Sequence, residues 1–379
     1  MPRNGAFIHS EEIERYHYPP ECPFKTERAA ATKQILCSMG LYTVDSASEV
    51  SPRPATESEL LLFHEPVYLE ALQRVSQGDF RAEDLHRGIG TQDTPVFPDL
   101  YTYAELAVGA TITGVGLILN GTASYIFNPS GGFHHAFPAA AGGFCYINDV
   151  VIGCKILKAN GKRVFCLDLD AHHGNGTQAA FYRDPDVFTV SFHETGKTLF
   201  PWGGFEDEIG EGRGTGYNVN VPLPARTDDD TFVLAFRKIV PPLLEAYNPD
   251  VIVLEIGMDI LSVDPLTHLS MTNNAIADTL PFLRDSGIPL LMVGGGGYNP
   301  EHTARGWALA WTILCGREPD AGLSIGMGGV FLGNAEWGAG LRDGRIYATG
   351  EDMIEIKQQV EKTIDSIRRT VFPVHKINS

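Results

Sequence analysis

One stretch, Val164-Phe-Cys-Leu-Asp-Leu-Asp-Ala-His-His-Gly-Asn-Gly176, constrains the fold more than any other. Val164 to Leu167 is an unbroken apolar run of strand length, the signature of a strand buried on both faces. Asp168 and Asp170 follow two residues apart, which puts both carboxylates on one face of an extended chain. His172 continues that alternation, and glycines follow. Neighbouring carboxylates repel and are costly to desolvate. A divalent cation removes both penalties, and Asp with His suits zinc or ferrous iron. A bland alternative is a capping and turn cluster before a helix. A single Asp would fit that alternative, whereas Asp-x-Asp-x-His-His-Gly fits a metal site better.

Further strands and helices alternate along the chain. Apolar runs at 124–128, 163–169, 187–192, 250–256 and 289–293 are predicted strands. Helices are predicted over 27–42, 68–75, 103–120, 147–158, 176–183, 231–247, 273–284, 301–314 and 351–370. Pro241-Pro242 predicts a kink or a break in the helix over 231–247. Thr56 with Glu59 three residues on has the form of a capping box. Residues 1–30 read as a polar, proline-rich segment, and 77–100 as a loop. Met353, Ile356, Val360, Ile364 and Ile367 form a helical stripe that packing onto the body explains. Alternating strands and helices imply an α/β fold, a parallel sheet covered on both faces, with ligands beyond the carboxyl ends of the strands. Each unusual polar cluster falls at such an end. With no linker or repeat visible, one domain is expected over the 379 residues.

Net charge is −18, which argues against nucleic acid as a partner and is compatible with a basic peptide substrate or simply with solubility. Cys22, Cys37, Cys145, Cys154, Cys166 and Cys315 make no CxxC pair and read as buried free thiols of a reducing compartment. No run of about 20 apolar residues and no signal-peptide core is read, so a cytoplasmic protein without membrane association is expected.

Three more clusters carry chemistry. Gly131-Gly-Phe-His-His-Ala-Phe-Pro138, followed by Gly142-Gly-Phe-Cys-Tyr-Ile-Asn-Asp149, sets His134 and His135 side by side in a loop. Such a pair can act as general base and general acid. Metal ligation is the alternative, although adjacent residues rarely point at one ion. Glu255-Ile-Gly-Met-Asp259 places Asp259 just past a buried strand, as a third metal ligand or a helix cap. Gly294 to Gly297 precede Tyr298, whose hydroxyl could meet a developing oxyanion. Neither a P-loop nor G-x-G-x-x-G fits this glycine run, so nucleotide binding is set aside.

Together, His134-His135, Gly143-Phe144-Cys145, Asp168 to Gly174, Asp259 and Gly294–Tyr298 resemble the histone deacetylase superfamily. The resemblance runs from about Tyr16 to Gly316. It is strongest to prokaryotic histone-deacetylase-like and acetoin-utilisation proteins. It implies an arginase–deacetylase fold with about eight parallel strands. It further implies a catalytic zinc, or ferrous iron, on Asp170, His172 and Asp259. His134 and His135 would share the proton work, with Asp168 orienting His134 and Asn175 facing His135. Class I members usually carry Asp where Asn175 stands, so a less basic His135 is expected. Tyr298 would bind the oxyanion. Gly174 and Gly257 stand where the related arginases carry further carboxylates, which argues for one metal ion and against a ureohydrolase.

By the same resemblance, Gly143, Phe144 and Phe200 line a substrate channel with Asp93 at its rim. Leu266 stands where polyamine-selective members carry Glu. A structural potassium would be held by Asp168, Asp170, His172, Ser191 and Phe192. A second alkali site would lie near Phe181, Asp184, Val187 and Tyr217, and Arg28 would line an internal channel. The implied substrate is an acetylated lysine of a protein or peptide, or a small acetylated amine. The alternatives are an acetylpolyamine amidohydrolase and, outside the enzymes, a non-catalytic acyl-lysine binding module. Partners beyond substrate and oligomeric state are left open.

Overall fold

A computed structural model of the chain describes residues 4–42, 47–318, 340–346 and 351–378. The strands are β1 (Gly5–Ile8), β2 (Ala47–Val50), β3 (Tyr125–Asn128), β4 (Val164–Asp168), β5 (Val187–Glu194), β6 (Asn218–Leu223), β7 (Val251–Glu255) and β8 (Leu290–Val293). They form one sheet in the order β2-β1-β3-β8-β7-β4-β5-β6. Every pairing is parallel. The helices are α1 (Arg28–Ser38), α2 (Glu57–Leu60), α3 (Pro66–Ser76), α4 (Leu100–Leu119), α5 (Asp149–Ala159), α6 (Asn175–Phe181), α7 (Asp229–Tyr247), α8 (Asn274–Ala277), α9 (Leu280–Asp285), α10 (Pro300–Leu314) and α11 (Glu351–Thr370).

Alternate residues of each strand feed opposite layers. Phe165 and Leu167 of β4, with Ile252 and Leu254 of β7, face a core shared with α7, α10 and α11. Val164, Cys166, Val251 and Val253 face the other way, onto α4 and α5. Strands covered on both faces must be apolar throughout, which is why β4, β7 and β8 stood out in the sequence. The predicted stripe of α11 is buried as expected. Thr56 caps α2 in the predicted capping box.

Several expectations need correction. β1, β2 and β6 lie where no strand was predicted. β1 is a four-residue run inside a polar segment, and β6 alternates Asn218 and Asn220 with valines; those asparagines are buried and both donate to Gln178 Oε1. α7 runs unbroken through Pro241-Pro242. The prolines remove N–H donors to the carbonyls of Arg237 and Lys238. Arg237 is exposed and Lys238 half-buried, so water can serve those carbonyls, while Ile239, Val240, Leu243 and Leu244 hold the helix to the core. The single helix expected over 273–284 is two, α8 and α9, because Pro281 starts a new first turn. A helix of membrane-spanning length and apolarity does exist, contrary to the sequence reading. Leu100–Leu119 is 20 residues long and carries a single charged residue, Glu105. Two thirds of its most apolar stretch, 67%, is buried against the sheet and α5, which accounts for its apolarity. Of the cysteines, all free, Cys37 is exposed and Cys315 half-buried.

Two glycines of α4 separate helix propensity from packing. A methyl group on Gly109 would overlap the carbonyl oxygen of Arg53 and sit 2.7 Å from the amide nitrogen of Ala55. One on Gly116 would meet nothing within 4 Å. Gly116→Ala is expected to stabilise by up to about 1 kcal/mol through propensity alone. Gly109→Ala is expected to destabilise by at least about 2 kcal/mol despite the same propensity gain. Urea unfolding of the two variants beside wild type measures both signs.

Candidate active site

Five neighbouring strands, β3, β8, β7, β4 and β5, deliver their carboxyl-end loops to one place. At the sheet's end Asp168 pairs in register with Glu255 of β7 on one side and Ser191 of β5 on the other. Glu255 pairs in turn with Val293 of β8. Asp170 and His172 emerge from β4, Asp259 from β7, the His134-His135 loop from β3, and Gly294–Tyr298 from β8. The expected clusters therefore converge because their strands are adjacent.

Asp170, His172 and Asp259 are buried, with one ligand atom from each lying within 4.8 Å of the other two. His172 Nδ1 stands 2.8 Å from Asp259 Oδ2 and 3.4 Å from Asp170 Oδ1. Backbone amides orient the carboxylates: Gly296 N donates to Asp170 Oδ2 at 2.6 Å, His172 N to Asp170 Oδ1 at 2.8 Å, and Ala171 N to Asp259 Oδ1 at 2.9 Å. Burial opposes the His172 charge, but hydrogen bonds and charges of Asp170 and Asp259 outweigh it and raise its pKa to about 10. Burial and then the charge of Asp170 push Asp259 up to about 7. Two carboxylates thus compete for one imidazole and its proton, a donor set that a divalent cation satisfies. Glycines keep the space clear. A side chain on Gly257 would overlap Asp170 Oδ2, and one on Gly296 would overlap Asp259 Oδ2.

His134, Asp170 and Glu255 form a second group of possible ligands. There, however, His134 Nδ1 is already bonded to Asp168 Oδ2 at 2.8 Å. Glu255 Oε1 lies 3.1 Å from the same nitrogen, yet neither oxygen of Glu255 makes a hydrogen bond. Burial, then the charges of Asp168 and Asp170, hold the Glu255 carboxyl well above the usual carboxylate range. A carboxyl group so disfavoured as an anion is a poor ligand, and the first group is the better metal site.

The two histidines face each other through their Nε2 atoms at 3.1 Å. Behind them, Asn175 Oδ1 is 2.9 Å from His135 Nδ1, as Asp168 is from His134. The two pKa values are driven apart. Burial opposes charge on His134, but Asp168 and Asp170 outweigh it and raise its pKa. Burial, then His134 and His172, push His135 well below the usual imidazole value. The loop carrying the pair is held by Asp149, which accepts from the amides of Gly132 and Phe133 and from Thr111 Oγ1. Sequence reasoning quoted Asp149 and Glu255 without assigning either a part. The polar Asn148-Asp149 pair opening a helix was the available signal for the first. For the second it was a carboxylate ending an apolar strand.

Tyr298 lies at the half-buried edge of the cluster. Its ring is 5.3 Å from that of Phe144 and 6.1 Å from that of His172. Asp264 accepts from the amides of Tyr298 at 2.7 Å and Leu266 at 2.9 Å, tying both to one carboxylate. The Phe200 ring packs edge-on against His135 at 5.1 Å. A side chain on Gly143 would overlap the His135 ring. Leu266 packs in the cluster that contains Phe144 and Tyr298. Asp93 is exposed, and its carbonyl accepts from the Phe144 amide at 3.1 Å. Ser191 Oγ meets His193 Nδ1 at 2.8 Å, and Phe192 packs its ring on Phe232. Arg28 is buried between the rings of Phe24 and Trp307, with Nη1 donating to the carbonyl of Gly297 at 2.8 Å. The proposed catalytic, metal and channel residues gather in or around this one site, with Asp93 exposed, whereas Phe181, Asp184, Val187 and Tyr217 lie at the other end of the sheet, at the amino ends of β5 and β6.

The chain matches the histone deacetylase domain over residues 22–314. It is 39% identical over 326 residues to the acetoin utilization protein AcuC of Bacillus subtilis, covering 84% of each chain. It is 37% identical over 317 residues to histone deacetylase 9 of Arabidopsis thaliana, covering 83% of this chain and 74% of that one. A crystal structure of a histone deacetylase homologue from Aquifex aeolicus superimposes with a TM-score of 0.84 at 33% identity, over 96% of this chain and all (100%) of the other. A homologue complexed with SAHA gives 0.85 at 32% identity over 97% and 100%. The chain belongs to the histone deacetylase family and has its fold, a single parallel eight-stranded sheet clothed in helices. It is a deacetylase, a hydrolase acting on acetylated substrates.

Gly296→Ala tests the metal pocket without touching a donor. The added methyl group displaces the Asp259 carboxylate, so bound divalent metal measured by elemental analysis is expected to fall at least about ten-fold. The circular dichroism spectrum should stay that of wild type.

Proposed function

We propose that the protein removes acetyl or related acyl groups from acyl-lysine-type amides, using one zinc ion held by Asp170, His172 and Asp259. The observation that carries this reading is the adjacency of that buried Asp-His-Asp set to a histidine pair with unlike second partners. Zinc, or ferrous iron in its place, would polarise the amide carbonyl and activate water. The remaining work falls to the protein's own groups. His135, neutral at pH 7, takes a proton from the attacking water. His134, its charge supported by Asp168, supports that transfer and returns a proton to the departing amine. The Tyr298 hydroxyl donates to the oxyanion developing at the amide carbonyl. Phe144 and Phe200 flank the path of an extended aliphatic chain. Leu266 gives a second ammonium nothing to bind, which favours acyl-lysine over acetylpolyamine. A potassium ion on oxygens of Asp168, Asp170, His172, Ser191 and Phe192 would brace the β4–β5 edge; the register of Asp168 with Ser191 supports its placement.

Metal-stripped protein is expected to be inactive on a fluorogenic acetyl-lysine peptide. One equivalent of zinc should restore turnover, and a hydroxamate should block it. His135→Ala and Tyr298→Phe should each cut kcat by at least about 100-fold in folded protein. Near-normal turnover by Tyr298→Phe would remove its oxyanion role.

Asn175→Asp tests the assignment of the base. Burial first, and then the charges of His134 and His172, keep His135 neutral near pH 7. A carboxylate at 175 would favour its charged form and raise its pKa. The base must be neutral to act, so the acidic limb of the kcat/KM profile should move to higher pH, by roughly one unit. An unmoved limb would mean that His135 is not the base.

A further inference from the structure

Two residues at the channel share an uncommon backbone. Phe144 (φ 65°) and Trp202 (φ 66°) both lie in the left-handed region. A bulky side chain there costs on the order of 1 kcal/mol. Packing accounts for Phe144. Its carbonyl accepts from Tyr18, its amide is bonded to Asp93, and its ring lies against Phe24 and Tyr298. Trp202 has no such return. It belongs to none of the three core clusters. At 64% it is the most exposed large hydrophobic side chain among the described residues.

The backbone nevertheless holds it in place. Its amide donates to the carbonyl of Leu199 at 3.2 Å. The backbone at Gly196 presses so closely on residues 202 and 203 that a side chain at 196 would overlap Gly203 and lie 2.8 Å from the Trp202 carbonyl carbon. Two residues earlier, the Phe200 ring packs on His135. The Cα of Trp202 is therefore within about 7 Å of that of a channel wall. Exposed Asp93 accepts from the amide of Phe144, the other wall, through its carbonyl, and exposed Asp207 lies further along the Trp202 loop. The chain as a whole carries a net charge of −18. An exposed indole face on an acidic protein suits a cation.

We propose that Trp202 is a specificity-determining residue whose ring is a platform for the side chain next to the acyl-lysine of a peptide, and that it favours arginine or lysine there. This rests on the acyl-lysine reading given above. A rigid indole loses little entropy on contact, and guanidinium stacks well on its face.

The test compares wild type with Trp202→Gly and Trp202→Phe on four substrates: acetyl-lysine peptides with Arg or Ala beside the acetyl-lysine, acetyl-lysine amide alone, and acetylspermidine. Wild type is expected to prefer the Arg peptide by about three- to ten-fold in kcat/KM. Trp202→Gly should bring that ratio close to one through KM, and Trp202→Phe should keep most of it. Because glycine is at ease at this φ, the melting temperature of Trp202→Gly should be no lower than that of wild type. A preference unchanged by Trp202→Gly would overturn the proposal. So would an equal fall in kcat on all substrates with a lowered melting temperature, which marks a structural residue. A loss confined to acetylspermidine would overturn the peptide assignment in favour of a polyamine. Failure of wild type on acetyl-lysine amide itself would instead strike the proposed function, before any peptide comparison is made.

Discussion

The structure depends on keeping five carboxyl groups buried together at the carboxyl end of the sheet: Asp168, Asp170, Glu255 and Asp259 on or just past adjacent strands, and Asp149 at the start of α5. In water such a group would disperse. Here the parallel sheet forbids dispersal, because β7, β4 and β8 are held in register by their ladders. The cost is met locally. Asp149 takes two backbone amides and a threonine hydroxyl, Asp168 a histidine and the Asp170 amide, and Asp170 and Asp259 amides from neighbouring loops. Those amides belong to glycines or to the loops between the clusters. The close approach of chain to carboxylate, rather than flexibility, is what the glycines supply. Gly257 and Gly296 show this most directly, since a single methyl group at either would occupy a carboxylate oxygen's place.

The same negative charge sets unlike tasks for like side chains. His134 and His135 are neighbours in sequence and touch in space, yet one is pushed toward the charged form and the other away from it. Asp168 against Asn175 is the visible difference, a carboxylate behind one ring and an amide behind the other. Glu255 illustrates the converse. It shares an imidazole nitrogen with Asp168 but has no amide donors, so burial and then the charges of Asp168 and Asp170 hold its pKa well above the usual carboxylate range. Burial raises the pKa of every carboxyl group in this cluster, and the backbone and histidine donors that reach Asp149, Asp168, Asp170 and Asp259 counter it, whereas Glu255 has none.

Much of this was legible in sequence because the sheet is buried on both faces. β4, β7 and β8 could only be apolar runs, so the polar residues that end them were conspicuous. The helices that face solvent on one side carried a readable period for the same reason. What was missed follows equally directly. β6 hides its strand character behind Asn218 and Asn220, whose burial depends on Gln178, distant in sequence. β1 is too short to show a period. Pro241-Pro242 argued for a break in α7, but local propensity lost to the apolar contacts on either side. Asp149 and Glu255 carried no assignable part in the sequence, since nothing local says which backbone amides will reach a carboxylate, or that none will.

The site is thus a case where secondary structure is dictated locally and electrostatics is not. Strand order decides which loops meet, and strand order is set by the long-range pairing of β8 between β3 and β7. That insertion brings Gly296 to Asp170 and Tyr298 to Asp264, joining the last of the sheet's strands in sequence to the middle of the site. Cysteine placement follows the same logic. Cys154 and Cys166 are packed in the layer formed with α4 and α5, where the hydrogen bond between them and then burial push the Cys166 thiol well above its usual pKa. Cys145 does lie near the carboxylates, but its thiol meets the carbonyl of Gly143, and the candidate ligand group is made of oxygen and imidazole nitrogen. That donor set selects for a borderline divalent ion over a soft one, and it does so by topology as much as by residue type.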